Sequence, residues 1–478
     1  MLTRADLCQA LDHADIAFQD CWLTLSRMKS VQLDSAAGER LLKFQPTLAE
    51  ALFRLDKLRR VALQESRALI ERKRQLNSDW FANRIRTLAR YRLAVDDAIK
   101  IGRTIGDAFA WFFYIESQDI IEQHAQHVPV SGMPDGIGGK GELEFIKHAH
   151  TPGYMLLYHG VTTFLRVGDI SFVHLATWRV VALGELKSQK VAPNQLRITL
   201  HMLGTDRDRM PFADPVVNIV PGAKQPAGTP LSLDAQARLK RQMKAMGAAM
   251  EPQTTEGNEE VRDSYQTDEL RTLADDLRFT SHAYVQVGAG LLITAVRPRV
   301  ANSLRGRVLS DVSGEKIVQK LSGLTKRVVG IMRPLPSENF LFIGELDTGV
   351  VLGHRPLFWS SIDAQFLKSL YFKEIITVTC YNPGHLFAKL RKHDFAVQVA
   401  AGARAPLFTV SKRIGNHQFA VPDMAFFLGL VQNNMFREDK VIEMVLALAA
   451  RASSGELPDN ARIQLAIVHK LGNPPRCQ

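Results

Sequence analysis

Cysteine is scarce in this chain. Cys8, Cys21, Cys380 and Cys477 are the only four in 478 residues, and no two form a CxxC pair. That pattern excludes a disulfide framework and the common zinc spacings. Long apolar runs are also missing. Stretches such as DAFAWFFYI and DMAFFLGLV fall far short of the ~18 residues that cross a bilayer. The start, MLTRADLCQALDHAD, lacks the apolar segment of a secretion signal. There is no GxxxxGK[ST] and no GxSxG, and GAGLLITA and VGDISF lack dinucleotide-loop glycine spacing. These absences lead us to expect a reducing, cytoplasmic setting without a membrane.

Negative charge is in short supply. Sixty Lys and Arg face 49 Asp and Glu, a net charge of +11. Such an excess favours an acidic partner, nucleic acid or an anionic surface, over a merely basic exterior. A hydrophobic fraction of 46% and a charged fraction of 23% are ordinary for a folded protein. The length suggests a multidomain chain.

Residues 1–128 read as a helical arm. Pro46 suits an early helical position, and Ala51, Leu55, Leu58, Ala62, Leu69 and Leu76 keep a heptad-like seam that Glu65 and Arg72 interrupt. Ser78 or Asp79 is placed to cap a second helix. The seam fits an antiparallel hairpin or, as the sharper alternative, a coiled coil between two chains. Between the helices, RALIERKRQLNSDWFANRIRTLARYR is rich in Arg and Lys. It is either a solvated face or a surface that neutralises phosphates.

Residues 129–205 open on the Gly- and Pro-rich VPVSGMPDGIGGKG, followed by a short helix, GELEFIKHAH. Then LRVGDISFVH, TWRVVALGELKS and QLRITLHML read as three strands. Residues 206–267 read as a linker holding one basic helix, DAQARLKRQMKAMGAAM, and ending in the polar EPQTTEGNEEVRDSYQT. Residues 268–478 mix strand-like runs (AYVQVGAGLLITAV, KRVVGIM, NFLFIGEL, EIITVTCY, FAVQVAA) with helix-like ones and read as a C-terminal α/β or α+β domain. The turn around Cys380, His385 and His393, CYNPGHLFAKLRKHDF, reads as strand, turn and helix rather than a Cys/His site.

The chemistry-bearing stretch is RVGDISFVHLATWRVVALGELKSQK. Side chains alternate along a strand, so Glu185 and Lys187 share a face. HLATW is short enough for a hairpin that brings Asp169 near them. Two carboxylates suit Mg²⁺, and a lysine beside them suits an attacking water and a phosphate charge. Glu142 and Glu144 on the preceding helix are candidates for a third carboxylate. Against this stands the plain alternative that Glu185 and Lys187 form an ion pair at a sheet edge. Arg166 and Lys190 beside the hairpin, and Arg238, Lys240 and Arg241 on the basic helix, are placed to contact phosphates.

The order Gly138-x-x-x-Glu142, Gly168-Asp169, Glu185-Leu186-Lys187 resembles the PD-(D/E)xK nuclease superfamily over roughly residues 130–205. The departure is Gly168, where the family name has Pro. The resemblance implies a restriction-endonuclease-like αβββ core. It also implies a Mg²⁺- or Mn²⁺-dependent nuclease, with Asp169, Glu185 and Glu142 holding metal, Lys187 handling the water and nucleic acid, DNA above all, as substrate. Bacterial antiviral defence or genome maintenance is the setting such a nuclease implies. The alternatives are a catalytically inactive nuclease-like module that binds nucleic acid or protein, and a scaffold whose coiled-coil arm makes a homodimer or holds an accessory protein.

Overall fold

The computed structural model describes residues 1–30, 35–125, 127, 132–149, 151–192, 195–204, 211–212, 216–219, 233–250, 266, 268–297, 303–309, 341–349, 356–400, 407–414, 417–421 and 423–453. The expected strand KRVVGIM, the polar stretch at 251–265 and Cys477 lie outside the described residues. Among the described residues helix is mixed with three antiparallel sheets, and the chain divides into two compact units. Each unit is assembled from more than one chain segment: 1–256, 300–310 and 349–359 form the first.

Unit 1 begins with three long helices, α1 (Arg4–Lys29), α2 (Ser35–Glu71) and α3 (Ser78–Phe113). They pack side by side. The apolar seam explains this: Ala51, Leu55 and Ala62 are buried, and Leu58 and Leu69 pack with Leu2, Ala62 and Leu88. Glu65 breaks the seam because its carboxylate accepts from the Leu2 backbone N–H (2.7 Å) and from Arg84 of α3 (2.8 Å). Where α1 crosses, a methyl on Gly102 would meet the Phe18 ring at 2.7 Å and Leu52 at 2.9 Å. Pro46 is not an early helical residue: α2 begins at Ser35 and holds Pro46 in its interior. Next to it, Gln45 Oε1 accepts from the Tyr158 backbone N–H (2.6 Å) and Gln45 Nε2 donates to the Leu156 carbonyl. The helix thereby covers groups of an edge strand that would otherwise lack partners.

The helices carry a five-stranded sheet in the order β1 (Tyr154–Tyr158), β2 (Ile170–His174), β3 (Arg179–Ala192), β4 (Gln195–Gly204) and β5 (Val216–Ile219). Preceding it are α4 (Gln118–Ala125) and α5 (Gly136–His148). Interior strand β2 is buried along almost its whole length, consistent with a strand covered on both faces. Strand β5 and helix α6 (Leu233–Met250) fall within the span read as a linker, and α6 packs on β3 and β4 through buried Met246, Ala249 and Met250.

The described residues of unit 2 include α7 (Asp268–Phe279) and two sheets. One has the order β6 (His282–Val287), β7 (Leu291–Val296), β9 (Ile376–Tyr381), β8 (Phe342–Gly344). The other is β10 (Ala396–Ala400), β11 (Leu407–Ile414) and β12 (His417–Ala420). The short helix α8 (Leu304–Val308) belongs to unit 1, where the Leu304 N–H donates to Asp15 at 3.0 Å. Unit 2 is completed by α9 (Ala364–Tyr371), α10 (Gly384–Lys392), α11 (Met424–Asn434) and α12 (Glu438–Ser453). No helix among the described residues is long and apolar enough to cross a membrane.

Candidate active site

The hairpin of β2 and β3 pairs antiparallel from His174 opposite Arg179 to Ile170 opposite Gly184. Regular pairing thus stops one residue short of Asp169 and Glu185. There the Asp169 side chain takes over: its Oδ2 accepts from the Leu186 backbone N–H at 2.7 Å. Gly168 sits at φ +72°, a left-handed conformation closed to proline. This turn bends so that only glycine fits.

Glu185 is buried, and its Oε1 accepts from Lys187 Nζ. Lys187 also donates to Gln242 Oε1 on α6 at 3.1 Å. Alternation along β3 puts Leu186 and Ser188 on the opposite face. That face receives α5, since a methyl on Gly141 would overlap the Ser188 side chain. Glu142 follows Gly141 and is buried, with its Oε2 accepting from the Tyr158 hydroxyl at 2.6 Å. Glu144 points away, exposed and 3.4 Å from His148. The helix carboxylate of the cluster is therefore Glu142.

The carboxylates disturb one another. Burial, together with the charges of Glu185 and Glu142, raises the Asp169 carboxyl well above its usual range. Burial pushes Glu142 up to about 7; the Tyr158 hydrogen bond opposes this and the Glu185 charge adds to it. Burial also raises Glu185, opposed by the Lys187 ammonium beside it. Three acids crowded out of water favour either shared protons or a cation.

One oxygen of each acid is committed: Glu142 Oε2 to Tyr158, Asp169 Oδ2 to Leu186 and Glu185 Oε1 to Lys187. Glu185 Oε2 is buried and receives no N–H or O–H. Carboxylate oxygens are the donor type that a hard cation such as Mg²⁺ or Mn²⁺ takes. Among the described residues, no three His, Cys, Asp or Glu side chains already stand in ligating geometry.

Of the expected phosphate contacts, Lys190, Arg238, Lys240 and Arg241 are exposed. Arg166 is instead half-buried and donates to the Thr163 carbonyl at 3.2 Å and the His127 carbonyl at 2.9 Å. It ties a loop together. Three neighbours of the cluster carry no signal of their own in the sequence: Tyr158, Gln242 and His201. His201 lies directly across from Glu185 on β4.

Beneath the hairpin runs a buried chain of polar groups whose donors can be assigned from their neighbours. His124 Nδ1 accepts from the Arg166 and Val167 N–H groups, so its Nε2 donates to the Tyr114 hydroxyl at 3.3 Å. Tyr114 donates to Ser171 Oγ at 2.5 Å, and Ser171 donates to His159 Nε2 at 2.5 Å. His159 Nδ1 then donates to the Gly168 carbonyl at 2.9 Å. Ser171 and His159 are too buried to meet a substrate. Their chain ends on the residue before Asp169 and fixes the turn that presents it.

Comparison with protein-family models, with curated proteins and with solved structures finds no match to this chain.

Proposed function

We propose that unit 1 is a metal-dependent nuclease that hydrolyses phosphodiester bonds in DNA, built on a PD-(D/E)xK-like αβββ core. The carrying observation is the gathering of Asp169, Glu185, Lys187 and Glu142 from two strands and a helix into one electrostatically coupled cluster. Asp169, Glu185 and Glu142 would hold Mg²⁺ or Mn²⁺. Bound there, the ion supplies an acidified water and neutralises phosphate charge. Lys187 has three donors, of which Glu185 and Gln242 occupy two. The third is available to orient the attacking water and to meet charge on the phosphate oxygens. Tyr158 and the Leu186 N–H would hold the carboxylates in place while the water oxygen bonds to phosphorus and releases its proton to solvent, and the P–O bond to the leaving oxygen breaks as that oxygen takes a proton from solvent.

A second reading is an inactive nuclease-like module that binds nucleic acid. It is favoured by the direct contact of Glu185 with Lys187, which occupies one carboxylate oxygen with the cluster's own lysine. A cleavage assay separates the two, using plasmid, linear duplex, single-stranded DNA and RNA with Mg²⁺, Mn²⁺ or EDTA. Metal-dependent cutting that Glu185→Ala and Lys187→Ala abolish supports the enzyme. Unchanged nucleic-acid binding with no cutting by any form supports the module.

A further inference from the structure

The hairpin of α2 and α3 is far longer than its attachment to the sheet requires. Its base is fixed where a methyl on Gly106 would strike the Val161 carbonyl, two residues from His159 and the turn that presents Asp169. From there to Trp80, α3 extends about 40 Å at 1.5 Å per residue. Leu2 packs on the pair as far as Ala62 and Leu88, and the remainder is tip.

That tip is strongly basic. Between 66 and 93 the sequence has eight Arg and Lys but only two acids, Glu71 and Asp79. Arg67, Arg72, Lys73, Arg74, Arg86 and Arg92 are exposed. Among the described residues, Arg67, Arg72, Lys73 and Arg74 form no ion pair. Lys73 lies 5.7 Å from the Phe81 ring centre, which fixes the turn rather than neutralising it. Trp80 is 42% exposed beside them. The turn is well ordered by Asn77, whose side chain accepts from the Asp79 and Trp80 N–H groups at 3.0 Å each. Cations near the end of α2 also suit its dipole, but that effect concerns the first or last turn and does not require Arg86 or Arg92 on the other helix.

We propose that this tip is a docking arm for the phosphate backbone of duplex DNA. The occupant is chosen by charge complementarity and by the tip belonging to the same unit as the carboxylate–lysine cluster. The proposal therefore rests on nucleic acid being the substrate, though not on cleavage itself. An arm of about 40 Å spans roughly 12 base pairs at about 3.4 Å each, so the tip grips DNA about one helical turn from the cluster.

The test is binding of the full-length protein to a fluorescent 40-base-pair duplex, followed over a range of salt. Three forms are compared: wild type, Arg67→Gln/Arg72→Gln/Lys73→Gln/Arg74→Gln, and Asp169→Asn/Glu185→Gln. The tip variant is expected to bind at least about 10-fold more weakly, with a salt dependence shallower by roughly 0.9 for each phosphate it no longer neutralises. The cluster variant, which removes two negative charges and leaves the tip intact, is expected to bind no more weakly than wild type. Arg72→Gln/Arg74→Gln, confined to the turn, gives a smaller loss in the same direction and guards against misfolding. Wild-type binding by the tip variant overturns the arm, even if the protein cuts DNA. Loss of binding in the tip variant supports the arm, even if the protein cuts nothing. Failure of wild type to bind the duplex, or capture by phosphatidylserine vesicles instead, also overturns it.

Discussion

Lys187 Nζ lies 3.1 Å from Gln242 Oε1, and this hydrogen bond joins the end of β3 to α6. The ammonium is held between a strand carboxylate and a helix amide, with Glu185 on one side and Gln242 on the other. Gln242→Leu should therefore leave Lys187 held by Glu185 alone. The loss of one charge-assisted hydrogen bond predicts about 1.5–3 kcal/mol lower stability. Urea unfolding of the two forms measures it, and cleavage at saturating substrate should fall with it.

The crowded carboxylates predict a trade between stability and metal binding. In EDTA, Asp169→Asn should be as stable as wild type or more stable, because it removes one of three mutually repelling acids while keeping a polar side chain there. With Mn²⁺ the order should reverse, since ligand binding raises only the stability of a form with the site intact. Thermal melts with and without Mn²⁺ check both statements.

The neutral histidines predict a pH dependence. Burial pushes His159 down to about 4, opposed by hydrogen bonds to backbone carbonyls. The unfolded value is the ordinary ~6.5. A lowered histidine contributes stability that is complete above the unfolded value and is lost as pH falls toward the folded one. Between pH 7 and 5 the stability gap between wild type and His159→Asn should shrink by about 2 kcal/mol. His124 is also lowered by burial, so it adds a loss of the same sign in both forms and leaves the gap to His159.

Gly141 predicts how tightly α5 must approach the sheet. A methyl there would lie 2.6 Å from Ser188 Cβ, closer than carbon atoms come without one of them moving. Gly141→Ala should cost roughly 1–3 kcal/mol and shift Glu142, the next residue. Ser188→Gly in the same chain should restore part of the stability, which paired urea titrations would show.

Much of the hairpin was legible because its period is short-range. Alternation in TWRVVALGELKS sets β3 and puts Glu185 and Lys187 on one face, and the turn at 175–178 follows from the short connection. Helix α5 was only half legible. Its first turn, GIGGK, reads as loop by its glycines, yet it is helical because Gly139 and Gly141 let the helix lie against the Pro134 carbonyl and Ser188. Strand β1 is five residues beside a proline and a glycine, and β5 is set among prolines, so neither stands out locally. What holds them is pairing with a neighbour distant in sequence. Gln242 was hidden for the same reason: α6 reads as basic and solvated, and only its Met246, Ala249 and Met250 face shows where it packs.

The most direct measurement is calorimetric titration of the full-length protein with Mn²⁺, alongside Asp169→Ala, Glu185→Ala and Glu142→Ala. Wild type should show a saturable site that is absent or at least about 10-fold weaker in each variant, in line with removal of one of a few oxygen ligands. Equal binding by all four forms, or none by wild type, would contradict the assignment of these carboxylates to a metal.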